Sequence, residues 1–474
     1  MAKKSFNRQK RLPLCVDLDG TLVQSDTLLE SVLILLKKQP LSLTLAPFWL
    51  LHGKAHTKRK IAERAMPDIA LLPYKQDFLA FLREERADGR KLILITGSDE
   101  QVAKKVAEHL KIFDDVIGSN GRENRSGKKK AEILSGKYGR GKYEYAGNSM
   151  KDFPVWQEAA GAYVVGANER VHRLASRASK VIRTFPMAVS SWSVAHAVRI
   201  HQWSKNLLVF IPALFGHKFA TGPFLQNSFL AFVALSLLAS AVYVTNDLLD
   251  LESDRSHTQK RSRPFASGSL SIQFGFALSL VLFVAGIAVA TLLPVDFLFI
   301  VLLYLAITTT YSFALKQIPI LDVLLLACLY VLRVFAGSAA TGIEVSQWLL
   351  GVSLLLFFSI AVAKRCIELQ CQCESNNRGY IRGDIEQLLT IGTVTSVAAT
   401  PVLMLYVQSD SARLHYNNPT LLWLVVPIFL YWTTRFWFLV RRCQVGEDPV
   451  VFALKDRATY IVGAITFCIL FLAS

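Results

Sequence analysis

Apolar residues are unevenly spread along this chain of 474 residues. From residue 1 to 183 there is no clean 18-residue apolar run, whereas beyond residue 198 such runs dominate. They fall near 205–218, 226–245, 272–292, 295–314, 319–339, 346–363, 388–408, 420–440 and 458–473. A helix of about 20 apolar residues crosses a bilayer, so nine membrane helices are expected, the first short and interrupted by Pro212. The first 184 residues follow another rhythm. Short buried-strand patterns alternate with helical ones, which implies a parallel sheet with ligands at the carboxyl ends of its strands. The expected architecture is an α/β domain over residues 1–184, with a helical cap and a basic linker, followed by an all-α membrane bundle over residues 185–474.

Charge sharpens the division. The net charge is +17, of which residues 1–184 carry +13 and the remainder only +4. A basic soluble domain joined to membrane helices points to anionic headgroups or phosphorylated substrates as partners. No nucleic-acid motif is present, so a nucleic-acid partner is not expected. Met1 to Arg11 is basic, but the apolar stretch after it is too short for a signal-peptide core. With that end inside, thirteen Lys and Arg fall in inner loops and two, Lys218 and Arg413, in outer ones. That asymmetry orients the bundle and places the soluble domain in the cytoplasm, on a bacterial-type inner (plasma) membrane. The seven cysteines form no disulfide framework. Cys366, Cys371 and Cys373 fall in one expected cytoplasmic loop, where reduced, unliganded thiols are the expectation.

The densest chemistry follows the apolar run at 229–244: Asn246-Asp247-x-x-Asp250-x-Glu252-x-Asp254-Arg255, then His257, Lys260, Arg261, Arg263 and Pro264. At helical pitch Asn246, Asp250 and Asp254 share a face, with Asp247 beside them. Carboxylates stacked in this way repel unless a cation sits among them. Mg²⁺ suits the place, because it takes oxygen ligands from carboxylates and substrate phosphates. Lys260, Arg261 and Arg263 can meet phosphate oxygens. Arg333 lies about three turns inside an apolar segment, which is costly unless it faces a polar cavity.

In the soluble domain, Asp17 and Asp19 close the strand pattern Leu14-Cys15-Val16 and precede Gly20-Thr21. Residues two apart on a strand face the same way, so one carboxylate can attack while the other shuttles a proton. A second strand, 91–95, ends in Thr96; Lys128, Lys129 and Lys130 precede a helix; and Gly147-Asn148-x-x-x-Asp152 follows a third strand. Residues 28–88 read as helices. Within them residues 41–51 are apolar and flanked by Lys37, Lys38 and Lys54, too short to span, and are expected to pack as a cap and to touch the bilayer. Arg170, Arg173, Arg177, Lys180 and Arg183 suggest one basic juxtamembrane helix across residues 166–198.

Asp17-x-Asp19-Gly20-Thr21, Thr96, a Lys, and Gly147-Asn148-x-x-x-Asp152 resemble the four motifs of the haloacid dehalogenase-like phosphatase superfamily. The resemblance implies Asp17 as nucleophile, Asp19 as general acid and base, Thr96 and Lys130 as phosphate contacts, and Mg²⁺ at Asp17 and Asp152. The family carries Asp where this chain has Asn148, so a retained fold without catalysis stands as the alternative. The membrane part resembles the UbiA-type prenyltransferase superfamily. Arg199-x-x-Gln202-Trp203-x-Lys205-Asn206, His257-x-x-Lys260-x-x-Arg263-Pro264, Tyr311-Ser312-x-x-Leu315-Lys316 with Asp322, and Lys364-Arg365-x-x-Glu368 are similar to its decaprenyl-phosphate phosphoribosyltransferase branch. That likeness implies transfer of phosphoribose from phosphoribosyl pyrophosphate to a polyprenyl phosphate, with Asp247, Asp250 and Asp254 on Mg²⁺. It makes Lys205, Asn246, Lys260, Arg263, Tyr311, Lys316, Arg333, Lys364 and Arg365 substrate contacts. The superfamily's second aspartate motif is absent. Prenyl transfer to an aromatic acceptor and a membrane-anchored phosphatase are the alternative functions.

Overall fold

The computed structural model describes residues 11–186, 191–216, 222–371, 379–446, 449–453 and 455–473. Cys373 and Lys218 lie outside the described residues, so the expectations on them go no further. The chain divides into two compact units. The first is Met1–Val198 with Tyr243–Ser279; the second is Arg199–Val242 with Leu280–Ser474. The aspartate-rich segment falls within the first of these units.

The first unit is built on six parallel strands in the order β3-β2-β1-β4-β5-β6. They are β1 (Leu14–Val16), β2 (Leu92–Asp99), β3 (Asp115–Ser119), β4 (Glu144–Gly147), β5 (Gly161–Val165) and β6 (Val181–Phe185). Strand β1 lies between β2 and β4, pairing Val16 with Leu94 on one side and with Ala146 on the other. A strand buried on both faces needs apolar residues throughout, and Leu14, Cys15 and Val16 are fully buried. Successive connections run to opposite sides at β1, which opens a crevice at the carboxyl ends of β1, β2 and β4. One face is filled by a cluster that includes Leu14, Val16, Phe78, Leu82 and Phe185. The other is filled by Cys15, Ile93, Tyr145 and Trp156 among others.

Strand β6 corrects the expected basic linker helix. The helical Arg spacing holds only over Glu169–Ala178. Val181–Phe185 instead adds an edge strand, parallel to β5, with Arg183 and Thr184 exposed. Arg183 lays its guanidinium over Phe81 and Phe185.

Three helices form the cap: α1 (Thr27–Lys38), α2 (Ala46–Leu51) and α3 (Lys54–Arg64). Asp26 caps α1, its carboxylate accepting from the Leu28 and Leu29 amides, and Lys37 and Lys38 close the last turn. Both ends thus match the helix dipole.

Among the described residues, seven helices are long and apolar enough to cross a membrane, from Gly222–Leu249 to Pro419–Arg441. Two of the nine expected spans fall short. Residues Ile200–Phe210 form a 3₁₀ helix that continues only as Ile211–Phe215, with Pro212 in its first turn. The last, Arg457–Ala473, is apolar but has 17 residues. Small residues let the helices of the second unit approach closely. A Cβ on Gly337 would lie 2.0 Å from the Val209 carbonyl oxygen.

Candidate active sites

The crevice of the α/β sheet collects the expected residues. Asp17 and Asp19 leave the end of β1, and Gly20 turns the chain with a φ of +73°, a conformation open to glycine. The side chain of Asn148 closes on that turn, its amide nitrogen 2.0 Å from where a Gly20 Cβ would sit. Lys130, buried at the first turns of the helix Lys128–Tyr138, donates to Asp17 Oδ1 at 2.7 Å. Burial pushes the Asp17 carboxyl up to about 7, against the opposing pull of Lys130. For Lys130, burial works against the charge, but Asp17 and Asp152 outweigh it and hold its pKa above the usual lysine value. Asp19 accepts from the Thr27 amide at 2.8 Å and from the Ser98 hydroxyl. Thr96 is fully buried and its hydroxyl oxygen accepts from the Ser98 amide at 3.0 Å.

Asp152, expected beside Asp17 on a metal, holds the loop that follows β4. One of its oxygens accepts from the Asn148 and Ser149 amides and the Ser149 hydroxyl, at 3.0–3.1 Å. The other accepts from the Tyr145 phenol at 2.8 Å. These bonds hold the loop, and the cation beside Asp17 is the Lys130 ammonium. Sequence reasoning missed Tyr145, whose hydroxyl also accepts from Lys130 at 3.1 Å. It missed Lys58 too, which reaches from α3 to the Gly97 carbonyl and to Asn124.

The aspartate-rich segment occupies the same unit. The spanning helix ends at Leu249, Asp250 caps a short helix, Leu251–Ser256, and i to i+4 bonds persist from Asn246 to Asp250 and on to Asp254. The expected column therefore survives the break. One Arg263 nitrogen donates to Asp247 Oδ1 at 3.1 Å and to Asp254 Oδ2 at 2.7 Å. Lys37, at the end of α1, pairs with Asp250. Burial raises the Asp254 pKa, with Arg263 opposing and Asp247 and Asp250 adding to it. Among the described residues no three His, Cys, Asp or Glu side chains converge on one metal position. Two carboxylate oxygens around one cationic nitrogen nevertheless suit Mg²⁺, which is commonly held by one or two carboxylates plus phosphates. Lys260 stands in a 3₁₀ turn just beyond.

Anchoring this segment, Arg255 makes a bidentate pair with Glu30 of α1 at 2.7–2.8 Å and donates to the Ala266 carbonyl. Both side chains are buried. Glu252 accepts from the Asp68 amide.

In the second unit Arg333 is buried. It donates to Asn206 Oδ1 at 2.8 Å, the Leu329 carbonyl at 2.7 Å and the Tyr304 hydroxyl at 3.0 Å, and it packs on the Tyr304 and Tyr330 rings. Asn206 in turn donates to Ser236. Arg365, only 1% exposed, engages Asp322, Glu368 and the Tyr311 hydroxyl. Tyr380 donates to Asp322 and accepts from the Ile320 amide. Ile320 itself has a φ of +67°, a strained conformation for a β-branched residue. Arg333 and Arg365 thus tie neighbouring elements together. Lys205 is buried in the 3₁₀ helix; Lys316 and Lys364 are partly buried.

Apolar spans, an acidic loop that suits a metal and a buried polar network define a multi-pass membrane transferase, joined to an α/β hydrolase-type domain. The chain belongs to the UbiA prenyltransferase family, whose model matches residues 209–455. The haloacid dehalogenase-like hydrolase model matches residues 14–157. An uncharacterized protein, y4nM, of Sinorhizobium fredii is 34% identical over 96% of this chain and 90% of its own length. Decaprenyl-phosphate phosphoribosyltransferase of Mycobacterium tuberculosis is 30% identical over 60% of this chain and 95% of its own. A solved UbiA homologue from Archaeoglobus fulgidus, bound to DMAPP and Mg²⁺, is 16% identical and covers 59% of this chain and 99% of that one, with a TM-score of 0.45.

Two outcomes follow. Asp247→Asn or Asp250→Asn abolishes transfer while the yield of folded protein stays near wild type, because these carboxylates serve a cation rather than packing. Activity retained at saturating Mg²⁺ would falsify that assignment. Arg333→Leu lowers stability by about 2 kcal/mol or more, since it strands Asn206 and Tyr304 without their charged partner. Thermal unfolding in detergent measures this. A variant that melts like wild type yet has lost transfer would assign Arg333 to the substrate.

Proposed function

We propose that this chain moves phosphoribose from phosphoribosyl pyrophosphate to a polyprenyl phosphate, at the cytoplasmic face of a bacterial-type inner membrane. The observation that carries the reading is the single Arg263 nitrogen shared by Asp247 and Asp254 at the end of a spanning helix. Such a pair can exchange its guanidinium for a metal-bound diphosphate without uncovering bare carboxylates. Support also comes from the place where the superfamily's second aspartate motif is missing. There Lys364, Arg365 and Glu368 stand, which suits a second phosphorylated substrate better than an aromatic acceptor.

Asp247, Asp250 and Asp254, with Asn246 beside them, would hold Mg²⁺. Bound there, the ion supplies the positive charge that steadies a departing diphosphate. Arg263, released from its carboxylates, and Lys260 take the remaining phosphate oxygens. The acceptor's phosphate oxygen attacks the anomeric carbon, the carbon–oxygen bond to pyrophosphate breaks, and pyrophosphate leaves with that electron pair.

The lipid product still carries a 5-phosphate, and we assign its removal to the α/β domain. Asp17 attacks phosphorus, Asp19 protonates the departing sugar oxygen, and water then cleaves the aspartyl-phosphate with Asp19 taking its proton. Lys130 balances the charge at the nucleophile, and Tyr145 holds Lys130 in register with Asp152. Fusion raises the effective concentration of the first product at the second site.

Membranes containing the chain are to be supplied with labelled phosphoribosyl pyrophosphate or labelled prenyl diphosphate. Label enters lipid from the first; label entering only from the second establishes prenyl transfer instead. Purified wild type yields dephosphorylated lipid-ribose, and Asp17→Asn accumulates the 5-phosphate. Identical phosphorylated products from both would assign the soluble domain another task, and phosphate release without any lipid product would leave the membrane-anchored phosphatase.

A further inference from the structure

The cap carries an element that is apolar on two sides. Along Pro40–Leu51, Leu43, Ala46 and Trp49 turn inward at helical spacing and pack with Ile34, Leu35, Ile61 and Ala65. Arg64 covers the Trp49 ring at 4.8 Å. The other side is apolar as well. Leu41, Leu45, Phe48 and Leu51 recur at spacings of four and three, and Leu41, Phe48 and Leu51 are 81%, 60% and 84% exposed. A helix that is apolar all round belongs in an apolar environment, and a contiguous exposed patch of this kind marks an interaction surface.

Two observations identify what covers it. The first is charge. Between Glu30 and Glu63 there is no acidic residue, whereas Lys37, Lys38, Lys54, Lys58, Arg59 and Lys60 fall there. Lys37, Lys38 and Lys54, which border the patch, are exposed. A second copy presenting the same face would bring like charges together, but an anionic headgroup layer complements them. The second is position within the first unit. Lys37 meets Asp250, one residue beyond the spanning helix Gly222–Leu249. Gln273, the second residue of the spanning helix Ile272–Ala290, donates to Asp26 at the start of α1. Glu30 between them is locked to Arg255. Helix α1 is therefore tied along its length to the ends of two membrane spans, and Pro40–Leu51 follows directly from it.

We propose that Pro40–Leu51 is an interfacial anchor that beds the cap in the boundary between headgroups and acyl chains of an anionic bilayer. Leu41, Leu45, Phe48 and Leu51 enter the boundary, and Lys54 meets lipid phosphates.

The test uses the full-length chain in nanodiscs of phosphatidylcholine with or without phosphatidylglycerol. A photoreactive benzoyl-phenylalanine replaces Phe48 or Leu51, both already exposed, and Ile182 on the edge strand β6 serves as control. Illumination gives lipid adducts at positions 48 and 51 several-fold above the control, and phosphatidylglycerol increases them. Adduct yields equal to that at 182 overturn the proposal. Cross-links to a second copy in place of lipid overturn it as well, and make the patch a dimer face.

Discussion

Crowded negative charge at the end of one spanning helix is the constraint on which the rest of the first unit depends. Asp247, Asp250, Glu252 and Asp254 fall within eight residues, next to an apolar phase that cannot solvate them. Like charges so placed raise each other's pKa and destabilise the fold unless cations stand among them. Here each is answered. Arg263 bridges Asp247 and Asp254, Lys37 meets Asp250, and Glu252 receives a backbone amide from residue 68. The arrangement is held rather than merely screened, because Arg255 and Glu30 are both buried and paired through two hydrogen bonds. Breaking a pair of that kind costs roughly 3–5 kcal/mol.

This gives the fusion of the two domains a physical meaning. Lys37, which pairs with Asp250, and Glu30, which holds Arg255, both belong to the cap helix of the α/β fold. The same helix touches the hydrolase-type site at its other end, through the Thr27 amide on Asp19 and the Thr27 hydroxyl on Ser98.

What the sequence disclosed was local. The strand ending in Asp17-x-Asp19, the hydroxyl of Thr96, Lys130 and the acidic column from Asn246 all stand on short spacings, and backbone geometry preserves short spacings. Tyr145 stayed hidden because a tyrosine in a buried strand reads as core, and only the fold brings its hydroxyl between Lys130 and Asp152. The basic run from Arg170 to Arg183 misled, because its last cation, Arg183, continues the helical spacing into an edge strand whose three middle residues are exposed. Arg333 and Arg365 were legible as intramembrane charges that require partners, but no local pattern shows that Asn206, Tyr304, Asp322 and Glu368 are among them. The pairing of Glu30 with Arg255 spans 225 residues and leaves no trace in either local pattern.

The central claim is that the acidic segment is a seat for a metal-bound diphosphate and is kept closed by its own cations until that ligand arrives. Equilibrium binding of phosphoribosyl pyrophosphate to the purified full-length chain, with and without Mg²⁺, tests it most directly when Asp254→Asn is measured alongside. The account predicts saturable binding that requires Mg²⁺ and disappears in Asp254→Asn. Binding of equal strength without the ion, or unchanged by the substitution, would contradict it.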